Sequence, residues 1–367
     1  MSPSPTAHAP QPALEVTSET PRKRRRRWPY IVGAIVLTPV LAGGVYYAAQ
    51  LGTGGDYVDG DGDFTHVTAE SSISHVVGHP AFDGFTDTMR LFSSSFLGTI
   101  TAPMAIDSIR SDAQAYADGA NFVIDEVNAG IEVYRPLYGE AAIDADPSKA
   151  AAGLFFFPGD PGAPVAVVMP GGAFLSLATT VEGFPYAEKL HEQGYNVVVL
   201  HYRVGVQDGD AEGDVAVRAE RAQEDLLAAM TAIAENPEWG LSPEDHSVWG
   251  SSAGGTLALL WGTDSELGAS ANGFPQPSAI VTAYPAVLGW PGASESYPPL
   301  FVTAAEDDEL LAISTTDQLV ADVDSAGVPV EYDRVATGGH GYGVANGLEA
   351  DGWVERAISF WKAQSAR

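Results

Sequence analysis

One pentapeptide in this chain combines a nucleophilic side chain with the small neighbours that let it react. Gly250-Ser251-Ser252-Ala253-Gly254 fits the pattern G-x-S-x-G. That pattern marks a serine on a strained strand-to-helix turn, where only small residues two positions away avoid a clash. The frame selects Ser252, because the same positions around Ser251 hold Trp249 and Ala253. A serine hydroxyl is a weak nucleophile until a base removes its proton. It also needs N–H donors for the oxygen that becomes negative as a tetrahedral adduct forms. The chemistry implied is acyl transfer through a covalent acyl-enzyme, and it requires neither a metal nor an organic cofactor.

The other parts of such a site follow in the order nucleophile, acid, base. His340 lies in Gly338-Gly339-His340-Gly341-Tyr342-Gly343, a glycine-rich loop that can bring an imidazole to a neighbouring strand tip. The other histidines are placed less favourably: His8 in the N-terminal tail, His66, His75 and His79 ahead of the repeating elements, His191 in a helical pattern, and His201 and His246 in or beside strands. Between Ser252 and His340, Glu306-Asp307-Asp308-Glu309 supplies a carboxylate to hold the imidazole in its tautomer and orientation; spacing does not choose among the four. Pro170-Gly171-Gly172-Ala173-Phe174 is built of residues small enough to let backbone N–H groups approach a developing oxyanion. Ala253, directly after the nucleophile, supplies another such donor.

These groups must be carried by strands, and strand-like segments precede them. Val165–Met169, Asn196–His201, His246–Trp249, Ala279–Ala283, Leu300–Ala304 and Val330–Val335 are short and rich in β-branched or aromatic residues, and several are continuous apolar runs of the kind buried on both faces of a sheet. Helical patterns at Phe184–His191, Glu220–Ala234, Gly255–Trp261 and Ile313–Ser325 alternate with them. Alternation of this kind predicts a mostly parallel central sheet flanked by helices. In such a sheet, chemistry gathers in the loops at the carboxyl ends of the strands, which is where every candidate residue lies.

The chain has 367 residues, is 45% hydrophobic and 18% charged, and contains no cysteine, which excludes disulfides, thiolate metal sites and cysteine nucleophiles. Six of the 18 basic residues fall in Arg22–Arg27 and only Glu15 and Glu19 are acidic before residue 56, leaving 46 acidic against 12 basic residues in the remainder. So negative a surface repels nucleic acid and anionic lipid. From Trp28 to Gly55 there is no charged side chain, and Tyr30–Leu51 is mostly apolar, with Trp28, Tyr30, Tyr46 and Tyr47 towards its ends. That is enough to cross a bilayer as a single helix, with the basic run marking the cytoplasmic side. A cleavable signal peptide is the competing reading, but the run is long for one and no clean A-x-A site follows. The expected organisation is a disordered basic tail over residues 1–27, a membrane anchor over 28–51 and an acidic Gly/Asp linker over 52–65. An N-terminal extension over 66–148 and a catalytic core over 149–367 follow. In the linker, Asp59, Asp61, Asp63 and Glu70 fall at calcium-loop offsets, yet Phe64 stands where such a loop requires glycine.

Taken together, Gly153–Phe174, Glu182-Gly183-Phe184-Pro185, Tyr202-Arg203-Val204-Gly205, the serine elbow, Pro298-Pro299 and the Gly-His-Gly loop resemble the bacterial α/β-hydrolases of the carbohydrate-esterase kind. These are the acetyl-xylan and feruloyl esterase-like proteins related to hormone-sensitive-lipase-like esterases. The resemblance runs from about His79 to Trp361 and implies an α/β-hydrolase fold acting on short-chain carboxylic esters, among them acetyl groups on polysaccharides. It places the family's acid on Asp308, with Asp307 second, and its oxyanion donors on Gly172 and Ala173. Two departures stand out: Pro170 replaces the histidine that opens the related H-G-G-G, and Ala173 replaces its third glycine. A peptidase on the same fold would need an anchor for a peptide terminus, which is not evident here. A non-catalytic glycan-binding surface protein would not need the complete Ser, acid and His set. If the apolar run is an anchor, protease added to intact cells removes everything beyond it; full protection, read by immunoblot, contradicts that topology.

Overall fold

A computed structural model describes residues 57–89, 112–205 and 214–365. The expected tail and membrane anchor lie outside the described residues, and among those described no helix is long and apolar enough to cross a membrane. Eight strands form one sheet: β1 (Tyr134–Pro136), β2 (Gly153–Phe157), β3 (Val165–Met169), β4 (Asn196–His201), β5 (His246–Ser251), β6 (Ala279–Ala283), β7 (Leu300–Ala305) and β8 (Val330–Val335). Their order is β1-β2-β4-β3-β5-β6-β7-β8. β2 runs antiparallel to both its neighbours, and every other pairing is parallel. This is the α/β-hydrolase fold.

The helices are α1 (Ile73–Val77), α2 (Ala113–Asn128), α3 (Glu140–Ala145), α4 (Phe184–His191), α5 (Val215–Glu235), α6 (Ser252–Trp261), α7 (Ile313–Ser325) and α8 (Trp353–Ser365). Alternate strand residues separate the core into two layers, as the period of two demands. Phe155, Phe157, Val197, Val199, Trp249, Val281 and Phe301 face α2, α4 and α8. Leu154, Phe156, Val198, Leu200, Val248, Ile280 and Val302 face α5, α6 and α7. Fully burying one such aliphatic or phenyl side chain stabilises the fold by about 1.5–3 kcal/mol, so the two layers supply most of the driving force.

Several elements depart from the sequence pattern. β5 continues to Ser251 and α6 begins at Ser252, so the strand-to-helix turn has no connecting residues. α5 starts at Val215 rather than near Glu220 because the Asp214 side chain caps it, accepting from Val217 N–H at 3.3 Å. β1, β2, α2 and α8 were not predicted. β2 is an all-buried run beginning with glycine, and its reversed direction is fixed only by pairing with β4. Residues 57–65, expected as a solvated linker, run beside α2: Phe64 exchanges two hydrogen bonds with the Asn128 amide at 2.9 and 3.0 Å. Val67 does the same with Asn121 at 2.8 and 3.0 Å. The Asp59 carboxylate is occupied within its own turn, accepting from the N–H groups of Asp61 and Asp63.

Behind the sheet, a buried ion pair fixes the segment after β4. Arg203 donates from its backbone and its Nε to Asp225 on α5 at 2.7 and 2.9 Å, with both side chains at most 1% exposed. Asp146 and Glu224 accept from its Nη1 and Nη2 at 3.0 and 2.6 Å, and the Tyr138 phenol donates to Asp225 at 2.6 Å. The neighbouring Tyr202 hydroxyl reaches the Pro170 carbonyl at 2.6 Å, so the cluster steadies the start of the loop after β3. Removing one member of such a pair leaves the other charge buried and uncompensated. Arg203→Ala is therefore expected to destabilise the protein by about 3–5 kcal/mol, measured by thermal or urea unfolding, whereas a double replacement of Arg203 and Asp225 by apolar residues recovers much of that loss.

Candidate active site

Ser252 stands at the junction of β5 and α6 with φ at 48°, a left-handed conformation that side chains other than glycine rarely adopt. The two flanking glycines have a direct steric cause. A Cβ at Gly250 would lie 2.3 Å from the Gly254 carbonyl oxygen, and a Cβ at Gly254 would lie 1.9 Å from that of Met169 at the end of β3. The elbow is thus pressed against the neighbouring parallel strand, and only hydrogen fits at either position. Ser251 points the other way: it is fully buried, with its Oγ 3.0 Å from the Tyr186 hydroxyl.

The structure brings Ser252, His340 and Asp308 together. Ser252 Oγ lies 2.9 Å from His340 Nε2, and His340 Nδ1 lies 2.7 Å from Asp308 Oδ2. The Asp308 side chain is 3% exposed and the His340 side chain 17%, so the acid is hidden while the imidazole keeps an open edge. Burial pushes the Asp308 carboxyl up, but hydrogen bonds from His340 and from the N–H groups of Leu311 and Leu310, both at 2.8 Å, outweigh it and hold its pKa below the usual carboxylate range. A carboxyl lowered in the folded state stabilises the protein above the ordinary aspartate pKa. That contribution is lost as pH falls through the lowered value.

Asp307, the other candidate acid, does a different job. Its Oδ1 accepts from the N–H groups of Gly338 and Gly339 at 2.9 and 2.7 Å. Glu349 takes the N–H and hydroxyl of Thr337 at 2.9 and 3.1 Å. These two carboxylates pin the base of the loop that carries His340. That loop bends through Gly339 at φ 65° and Gly341 at φ 77°, which is why glycine flanks the histidine on both sides. Its far side is held by the Trp353 indole N–H, which donates to the Gly343 carbonyl at 2.8 Å.

The loop after β3 is folded tightly in front of the elbow. Gly172, Ala173 and Phe174 have φ of 130°, 57° and 57°, and the Gly172 carbonyl accepts from the N–H groups of Leu175 and Ser176 at 3.0 Å each. Among the described residues, the N–H groups of Gly172 and Ala173 have no protein acceptor. The N–H of Ala253 belongs to the first turn of α6, where backbone donors lack intrahelical partners and the helix dipole favours negative charge. Gly171 N–H differs, donating to the buried Glu182 carboxylate at 2.7 Å.

Two residues beside this site were missed from sequence. Tyr284, at the tip of β6, packs its ring against His340 with centroids 5.0 Å apart. Glu182 follows the loop after β3 and accepts from the Tyr284 hydroxyl at 3.0 Å. Tyr284 is the first residue beyond a parallel strand, the place where such sheets carry chemistry. Glu182 opens Glu182-Gly183-Phe184-Pro185, where nothing local signals its burial.

No family model matches the chain. Over 236 residues, 54% of this chain, it is 24% identical to an acetylxylan esterase of Xylanibacter ruminicola. The match covers 45% of that protein, so the chain spans less than half the length of the curated relative it matches. Similar solved structures include an acetyl ester-xyloside bifunctional hydrolase from Caldicellulosiruptor lactoaceticus, at 21% identity over 63% of this chain and 95% of the other, with a TM-score of 0.49. A carboxylesterase from Lactobacillus plantarum is 20% identical over 58% of this chain and 92% of the other, with a TM-score of 0.49. A thermophilic esterase from Thermogutta terrifontis is 18% identical over 57% and 88%, with a TM-score of 0.47.

The two adjacent aspartates are separable by experiment. Asp308→Asn is expected to slow fluorophosphonate labelling of Ser252 by about a thousandfold or more, because the imidazole loses its orienting acceptor. Asp307→Asn, which loosens the loop while leaving the acceptor in place, slows labelling by at most about a hundredfold. Equal effects of the two substitutions would contradict this division.

Proposed function

We propose that the chain is a serine hydrolase that cleaves short-chain carboxylic esters through an acyl-enzyme. The observation that carries this reading is the continuous hydrogen-bonded line from Ser252 Oγ through His340 to Asp308. In the proposed reaction, His340 Nε2 takes the Ser252 proton as Oγ attacks the ester carbonyl carbon. Asp308 holds the Nδ1 proton and stabilises the imidazolium that forms. The carbonyl oxygen, now negative, receives hydrogen bonds from the N–H groups of Gly172, Ala173 and Ala253. The imidazolium returns its proton to the leaving alcohol, and a water activated by the same imidazole then releases the acid from Ser252.

Acetyl esters of carbohydrates are the proposed substrates, on the strength of the similarity to an acetylxylan esterase. Pro170 and Ala173, where the related proteins carry histidine and glycine, retain the backbone groups this chemistry uses. The apolar run Tyr30–Leu51 is proposed to anchor the protein, with the basic run Arg22–Arg27 on the cytoplasmic side and the hydrolase outside the cell.

The test is hydrolysis of p-nitrophenyl acetate by the wild type and by Ser252→Ala. Turnover is expected to fall by about a thousandfold or more in the variant, leaving the residual rate that oxyanion donors and binding alone provide. A folded wild type that turns over no faster than Ser252→Ala would overturn the reading.

A further inference from the structure

Glu182 is a carboxylate sealed away from solvent, 4% exposed, in the short turn Thr179–Gly183 that follows the loop after β3. Its two oxygens serve two separate loops. Oε2 accepts from Gly171 N–H at 2.7 Å, and Oε1 accepts from the Tyr284 phenol at 3.0 Å. The Tyr284 oxygen also accepts the Gly343 N–H at 3.1 Å, in the loop that carries His340. Tyr186 closes the network, its hydroxyl 3.2 Å from that of Tyr284, 3.0 Å from Ser251 Oγ and 3.3 Å from the Gly343 carbonyl. A Cβ at Gly171 would lie 2.7 Å from Glu182 Oε2 and 2.8 Å from the Ser252 Cβ, so that glycine alone separates the carboxylate from the nucleophile.

A buried carboxylate is costly unless fully hydrogen-bonded, and packing alone would be met as well by an apolar side chain of similar size. We propose that Glu182 is a positioning residue of this site, tying the loop that carries the oxyanion donors to the loop that carries His340 through the Tyr284 hydroxyl. The inference rests on the ester-hydrolase reading. Four titratable groups face the carboxylate: His340, Tyr284, Tyr186 and Tyr202. Burial pushes the Glu182 carboxyl up, against the bonds from Gly171 and Tyr284 and the attraction of His340.

The test uses the full chain with p-nitrophenyl acetate as substrate. Glu182→Gln keeps the shape and removes the charge. It is expected to lower kcat by up to about a hundredfold with KM little changed. Tyr284→Phe keeps the ring and removes the bridge; kcat should again fall with KM little changed. A merely structural role would lower the unfolding temperature and leave the kcat of the folded enzyme at the wild-type value, which would overturn the proposal. So would a wild-type kcat in both variants, shown to be folded by near-ultraviolet circular dichroism. If Glu182→Gln does not fold, the Tyr284→Phe kcat decides by the same criteria. An inactive wild type defeats the underlying reading and the inference together, whereas an active wild type with unchanged variants defeats the inference alone.

Discussion

Turning from β5 into α6 without a connecting residue forces Ser252 to φ 48°, a conformation that costs roughly 1–3 kcal/mol for a residue with a side chain. The surroundings hold it there. Gly254 meets the Met169 carbonyl so closely that no Cβ fits. The β3–β5 pairing continues to Met169 and Gly250, one step from the elbow. Because this contact joins the ends of two parallel strands, the loop leaving β3 emerges directly in front of the serine. The fully buried α6 behind it prevents the turn from relaxing. His340 and Asp308 line up behind that one hydroxyl, and the loop after β3 lies against it.

Around that point the molecule uses acidic side chains as fasteners for loops. Asp307 and Glu349 tie down the histidine loop by its backbone N–H groups, and Glu182 does the same for Gly171. Asp308 instead meets the imidazole of His340. In a chain with 48 acidic and only 18 basic residues, backbone amides are the abundant positive partners, and several of these carboxylates are satisfied by them rather than by cations. Arg203 is used differently, with three acidic side chains gathered on one buried guanidinium.

The parts of this arrangement legible in the sequence are those with a local physical signature. Gly250 and Gly254 betray the elbow because steric exclusion acts within a few residues, and the glycines around His340 betray a loop with positive φ. The valine-rich runs Val165–Met169 and Asn196–His201 betray buried parallel strands. β2 was not read, since a short buried strand carries no sign of its direction. α8 was not read although Trp353, Val354, Ala357, Ile358 and Trp361 keep a helical spacing. The different work of Asp307 and Asp308 was not separable either: both follow β7, and only folding decides which one meets an imidazole and which meets two amides. Glu182 and Tyr284 are 102 positions apart, and nothing near either in sequence announces the other.

The hold of Trp353 on the Gly343 carbonyl has a consequence for the order in which the protein is made. The elbow, the loop after β3 and the acid all leave the ribosome before His340, and the loop bearing His340 lacks its indole clamp until α8 has been synthesised and has docked. A nascent chain therefore carries a serine without its partner. A product truncated before Trp353 would lack the indole that holds the Gly343 carbonyl, and with it the hold on the far side of the histidine loop.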